Sequence, residues 1–128
     1  MESRSVKAFL DTHAAIMLWN GEPLGAASED LLERSAIFVS PVVRLELRFL
    51  EEIGRLKVPA DEILGTITAE LGVSQSDDPL DAVVAEAMGL DWTRDPFDRL
   101  LVATAILHRA PFVTKDQRIL ASFGAAVW

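Results

Sequence analysis

Two short apolar runs end in aspartate and lead directly into helix-like sequence: Phe9-Leu10-Asp11-Thr12 and Val113-Thr114-Lys115-Asp116. Runs this short and this apolar read as buried strands. The chain between them repeats the theme, with apolar runs separated by helical lengths. Strands joined through helices cannot pair as hairpins. They form a parallel sheet covered on both faces. In such a sheet the carboxyl ends of the strands share one edge, and sites of open α/β proteins form there. Both aspartates are therefore expected at that edge.

The punctuation supports this reading. Val6 to Leu10 is a strand, and Asp11 or Thr12 caps a helix that runs to Asn20, where Gly21-Glu22-Pro23 breaks it. Ala26 to Ser35 is a second helix and Ile37 to Val39 a second strand. Ser40-Pro41 supplies a cap and a first-turn proline for a helix that reaches Ile53, closed by Gly54. Asp61 to Leu71 is a helix closed by Gly72, and Val73 to Ser76 a weak third strand. Pro79 to Met88 and Pro96 to Arg109 are helices, Pro111 to Thr114 a strand, Asp116 to Phe123 a short helix, and Ala125 to Trp128 a last strand. The 128 residues show no linker, internal repeat or low-complexity tract, so residues 1–128 are expected to form one domain.

Composition narrows the chemistry. The chain has no Cys, which removes disulfides, Cys-ligated zinc and thiol nucleophiles. No apolar run approaches a membrane span, and the start lacks a signal-peptide core. A cytoplasmic location without membrane attachment is the expectation. The formal net charge of −8 disfavours non-specific nucleic-acid binding, which is built on Lys and Arg. A nucleic-acid substrate would need a metal or a local basic rim to offset it, whereas a basic protein partner would suit the surface.

Among 20 acidic residues, those on an apolar helix face or at a strand end are the candidates. Glu46 has Val42, Val43, Phe49 and Leu50 as its helical neighbours, so it is expected within the buried stripe. An unpaired charge there is costly, which leaves either an ion pair with an Arg or a carboxylate held for a metal. Asp98 continues as Leu101, Val102, Ala105 and Ile106 and lies in the first helical turn, where it is a site residue or a complement to the helix dipole. Asp95 precedes Pro96 and reads as the N-cap instead. Asp11 and Asp116 are each a helix cap or a site residue.

Carboxylates brought together raise one another's pKa, and a cation relieves them. Hard oxygen ligands with open positions suit magnesium or manganese. Such an ion acidifies its water and polarises a phosphodiester. A hydrolase triad would have to rest on His13 or His108; the first reads as a helix-start residue and the second as a dipole complement. A magnesium-dependent phosphoacceptor switch also gathers acids at strand ends and would use Lys115. It wants an aspartate after a middle strand, and none lies between Asp30 and Asp61. Lys115, Arg99, Arg44 and Arg48 are candidates for a basic rim, with solvated surface as the alternative for each. Trp19, Trp92 and Trp128 read as core or interface.

The ordered set Phe9-Leu10-Asp11-Thr12-His13, Arg44-Leu45-Glu46-Leu47 followed by Gly54-Arg55-Leu56, Asp95 through Ala103, and Val113-Thr114-Lys115-Asp116 resembles the PIN-domain toxins of VapBC toxin–antitoxin systems. The resemblance covers nearly the whole chain. It implies an α/β/α sandwich with a mainly parallel five-stranded sheet in the order 3-2-1-4-5. It also implies a magnesium- or manganese-dependent endoribonuclease that uses water to hydrolyse RNA, leaving a 3′-hydroxyl and a 5′-phosphate. By motif position Asp11, Glu46, Asp98 and Asp116 match the family's acidic, metal-binding residues, and Asp116 is where the family varies most. A homodimer and a cognate VapB-type antitoxin that covers the acidic groove are implied as well. A PIN-like fold kept only to bind a protein partner is the non-enzymatic alternative.

Overall fold

The computed structural model describes residues 6–128. The chain alternates β1 (Lys7–Leu10), α1 (Thr12–Trp19), α2 (Ala26–Glu33), β2 (Ala36–Val39), α3 (Pro41–Glu52), α4 (Ala60–Leu71), β3 (Ser74–Gln75), α5 (Leu80–Ala87), α6 (Pro96–Leu107), β4 (Phe112–Val113), α7 (Gln117–Ser122) and β5 (Ala126–Val127). Each element expected from the sequence is present in its expected place. The ends differ by one or two residues, because terminal residues extend the apolar pattern without making the regular hydrogen bonds.

The strands form one sheet in the order β3-β2-β1-β4-β5, and every pairing is parallel. β1 is central. Its Ala8, Phe9 and Leu10 are all buried, so both faces of the sheet are covered, as a three-layer sandwich requires. Phe9 pairs with Phe38 on one side and Phe112 on the other, which builds the core across three strands. Backbone pairing continues past β1 and β4: Asp11 N–H donates to the Val113 carbonyl and Thr114 N–H to that of Val127. This register sets the Asp11 and Thr114 side chains together at the carboxyl edge.

Helix punctuation follows local chemistry. Ser40 accepts from Val42 N–H with Pro41 in the first turn, and Asp95 accepts from Phe97 and Asp98 N–H with Pro96 in the same place. Gly72 closes α4 at φ +69°, a left-handed conformation that costs glycine little. The expected core tryptophans Trp19, Trp92 and Trp128 pack, partly buried, against the main core.

One expectation needs correction. Glu46 does not lie within the buried stripe of α3. The stripe is Val43 and Leu47, both fully buried. Val42, Glu46 and Leu50 flank it half-buried, and Phe49 is 44% exposed with its ring against Phe97. Four apolar neighbours on a helix span more arc than the helices packed against α3 cover, so only part of that arc is buried. Glu46 stands at the rim, where one side meets the core and the other a cleft. This register predicts that Leu47→Ala lowers unfolding free energy by about 2–5 kcal/mol. Leu45→Ala, at a position 62% exposed, should change it by no more than about 0.5 kcal/mol in urea denaturation.

Candidate metal centre

The cleft at the carboxyl edge of the sheet has a volume of about 400 Å³. Asp11, Glu46, Asp98 and Asp116 all line it, together with Thr12, His13, Leu50, Asp95 and Lys115. The four carboxylates singled out in the sequence therefore reach one space from four elements: the end of β1, the middle of α3, the first turn of α6 and the loop after β4.

Asp11 is nearly buried at 9% exposure and both of its oxygens are engaged. Oδ1 accepts from Thr12 N–H at 2.7 Å and Oδ2 from Thr114 Oγ1 at 2.6 Å. Thr114 Oγ1 in turn accepts from Asp116 N–H at 3.0 Å, so one hydroxyl ties the two strand-end aspartates together. Glu46 Oε1 accepts from Thr12 Oγ1 at 2.6 Å. The arginine pair that was the alternative for Glu46 does not form: Arg44 is bidentate to Asp61, and Arg48 pairs with Glu51 and Glu52.

Capping and lining the cleft turn out to be compatible roles. Asp11 caps α1, Asp116 caps α7 through Oδ1 to Ile119 N–H, and Asp95 caps α6 through Oδ1 alone. One oxygen suffices for a cap, so the carboxylate still faces the cleft. Asp95 therefore joins it as a fifth acid, which the opposition of cap to site had set aside. The other partners missed in the sequence were Thr12 and Thr114. Their signal was adjacency to the aspartates, which by itself says nothing about what a hydroxyl reaches.

The electrostatics follow from crowding. Burial, then the charges of Asp95, Asp11, Asp116 and Glu46, push Asp98 up to about 7. Burial also raises Glu46 and Asp11, and in each case a threonine hydrogen bond pulls the other way. Among the described residues none of these acids has an ion pair, and Lys115 and His13 are the basic side chains lining the cleft. Of the four cations proposed for a rim, only Lys115 is at the cleft. Arg99 donates instead to the Ala87 and Met88 carbonyls and fastens α6 to α5. Another cleft, of about 300 Å³, is lined by Arg44, Arg48, Glu51 and Asp61, but these charges are paired with one another or with Glu52 and leave none for a ligand.

The donor set fits a hard divalent cation. All the candidate ligands are carboxylate oxygens, they repel one another, and the cleft has room for hydrated ions. Among the described residues no three His, Cys, Asp or Glu side chains close around one point. A phosphoacceptor switch wants an aspartate after a middle strand. The central strand is β1, and it does end in an aspartate, Asp11. What disfavours the switch is that Asp11 is nearly buried with both oxygens hydrogen-bonded, a poor state for a nucleophile. His108 sits at the α6 C-cap as expected, but its Nε2 lies 2.7 Å from Asp78 Oδ1, and neither residue lines the cleft.

An all-parallel sheet in this order, with acids converging on its carboxyl edge, defines a class, and comparison with known proteins agrees with it. The PIN domain family model matches residues 8–124. Ribonuclease VapC22 of Mycobacterium tuberculosis is 34% identical over 118 residues, covering 86% of this chain and 87% of that protein. The chain belongs to the PIN-domain family. Among solved structures, VapBC2 from Rickettsia felis, bound to a DNA fragment from their promoter, superposes with a TM-score of 0.68 at 16% identity, covering 96% of this chain and 98% of that one. A toxin–antitoxin complex from Klebsiella pneumoniae gives 0.65 at 18% identity, covering 94% and 96%. At such identities these two share the fold. Among the described residues no helix is long and apolar enough to cross a membrane.

The raised Asp98 has a consequence for stability. An acid whose pKa is higher folded than unfolded binds its proton more tightly in the folded state. Its contribution is complete below the ordinary carboxyl range and is lost as pH rises through about 7. In chelator the melting temperature of the native protein should therefore fall between about pH 4 and about pH 7. Asp98→Asn should fall distinctly less; parallel curves for the two proteins would contradict the crowding.

Proposed function

We propose that this protein is a VapC-type toxin, an endoribonuclease that requires magnesium or manganese. The observation that carries the reading is the convergence of Asp11, Glu46, Asp98 and Asp116 on one cleft without a cationic partner among the described residues. Membership of the PIN-domain family and the kinship with a protein named as a VapC ribonuclease support it.

In this reading Asp11, Glu46 and Asp98 hold the ion directly or through water, and Asp116 completes the pocket. The bound cation supplies a more acidic water and offsets charge on the phosphodiester. The chain's own groups do the rest. Carboxylate oxygens only accept hydrogen bonds, so they orient water by its hydrogens and leave an oxygen lone pair toward phosphorus. Water oxygen bonds to phosphorus, the bond from phosphorus to the 3′-oxygen breaks, and the proton that water gives up is balanced by the one the 3′-oxygen takes up. The products are a 3′-hydroxyl and a 5′-phosphate. Lys115 faces the substrate phosphate from the cleft wall.

The same reading assigns a cytoplasmic protein, a homodimer, and a cognate VapB-type antitoxin whose basic segment occupies the acidic cleft. The charge of −8 supports a basic partner. Two measurements test the enzyme. Purified protein with magnesium should cut RNA to fragments bearing 5′-phosphates. Asp11→Asn and Asp98→Asn should each lower the rate by at least about a hundredfold without altering the circular dichroism spectrum. Cleavage by both variants at the native rate in chelator would sink the proposal. Magnesium at about a hundred times its Kd should stabilise the native protein by about 2.7 kcal/mol. It should stabilise Glu46→Gln less; equal shifts would remove Glu46 from the ion's surroundings.

A further inference from the structure

Glu46 is the one acid of the four that reaches the cleft from the middle of a helix, not from a strand end or a helix start. Its backbone is set by the packing of Val43 and Leu47, but its side chain stands at the rim of that stripe with three free torsions. Packing does not aim such a carboxylate, and among the described residues no cation holds it. Its hydrogen-bond partner is the Thr12 hydroxyl, 2.6 Å from Oε1, a length typical of a hydroxyl donating to a charged carboxylate.

Thr12 is itself fixed. It is 2% exposed, opens α1, and its N–H is held by Asp11 Oδ1. A β-branched side chain at a buried helix start has little rotamer freedom. A hydroxyl has one proton to give, and here it goes to Glu46. Thr12 thus binds one cleft carboxylate through its backbone and another through its side chain.

We infer that Thr12 is a positioning residue: its hydroxyl locks the Glu46 carboxylate at the cleft and sets its separation from Asp11. This rests on the endoribonuclease reading of the site. Partners that orient metal-facing carboxylates are worth roughly 10–100-fold in metal affinity or rate when removed.

The test compares Thr12→Val, which keeps the shape and removes the hydroxyl, with Thr12→Ser, which keeps the hydroxyl. Magnesium affinity by calorimetry is read beside kcat and KM for RNA, with melting temperatures confirming that each variant folds. Thr12→Val should weaken magnesium binding about tenfold or more and lower kcat at saturating magnesium, with KM for RNA unchanged. Thr12→Ser should recover most of both losses. In a Glu46→Gln background, Thr12→Val should add little, because the group it positions is already altered. A Thr12→Val protein with native magnesium affinity and native kcat overturns the inference alone, as does an effect that adds in full to that of Glu46→Gln. A native protein that neither binds magnesium nor cuts RNA overturns this inference and the endoribonuclease reading together.

Discussion

The hydrogen bond from Thr114 to Asp11 is the junction on which the site depends. It exists because β1 and β4 are parallel neighbours with Leu10 opposite Val113, so the residues that follow them emerge side by side. That single hydroxyl keeps a nearly buried carboxylate hydrogen-bonded and also takes the Asp116 N–H. The bond opposes the rise that burial imposes on Asp11, and it ties the loop leading to α7 to the central strand. The sheet's register, not any loop, sets where these groups sit.

Around that junction the fold concentrates like charge. Asp95, Asp98, Glu46 and Asp116 face Asp11 across the cleft, and burial together with these charges raises Asp98, which has no side-chain hydrogen bond among the described residues to offset it. Each of the others is anchored: Asp11 and Glu46 by threonines, Asp116 and Asp95 by helix N-termini. Like charges held this close oppose one another, and a cation among them would offset that repulsion. Helix starts contribute here in a second way, because the positive end of a helix lowers the cost of holding an acid beside it.

Three arginines that could have formed a basic rim do not line this cleft. Arg44 and Arg48 are engaged with Asp61, Glu51 and Glu52, and Arg99 fastens α6 to α5 through backbone carbonyls. Lys115 is left beside the acids, exposed and one residue before Asp116. With a net charge of −8, the protein's own charge offers a polyanion little attraction.

The order of elements was legible in the sequence because short apolar runs, first-turn prolines and closing glycines are local signals, and local hydrogen bonding obeys them. The four acids were legible for a related reason: a carboxylate beside apolar residues, or at the end of an apolar run, violates a pattern that one chain is enough to reveal. The place of Glu46 at the rim was not, since a helix's buried arc is fixed by what packs on it, and Phe49 turns outward to meet Phe97. Nor could adjacency tell that Thr12 reaches α3 across 34 positions, or that Thr114 reaches Asp11 across 103. That Asp95 caps a helix and still faces the cleft also emerged only in three dimensions. The sequence by itself determined which groups are available and which elements carry them. The tertiary structure decided their partners, because hydrogen bonds and charge repulsion depend on distances that only the parallel register and helix packing create.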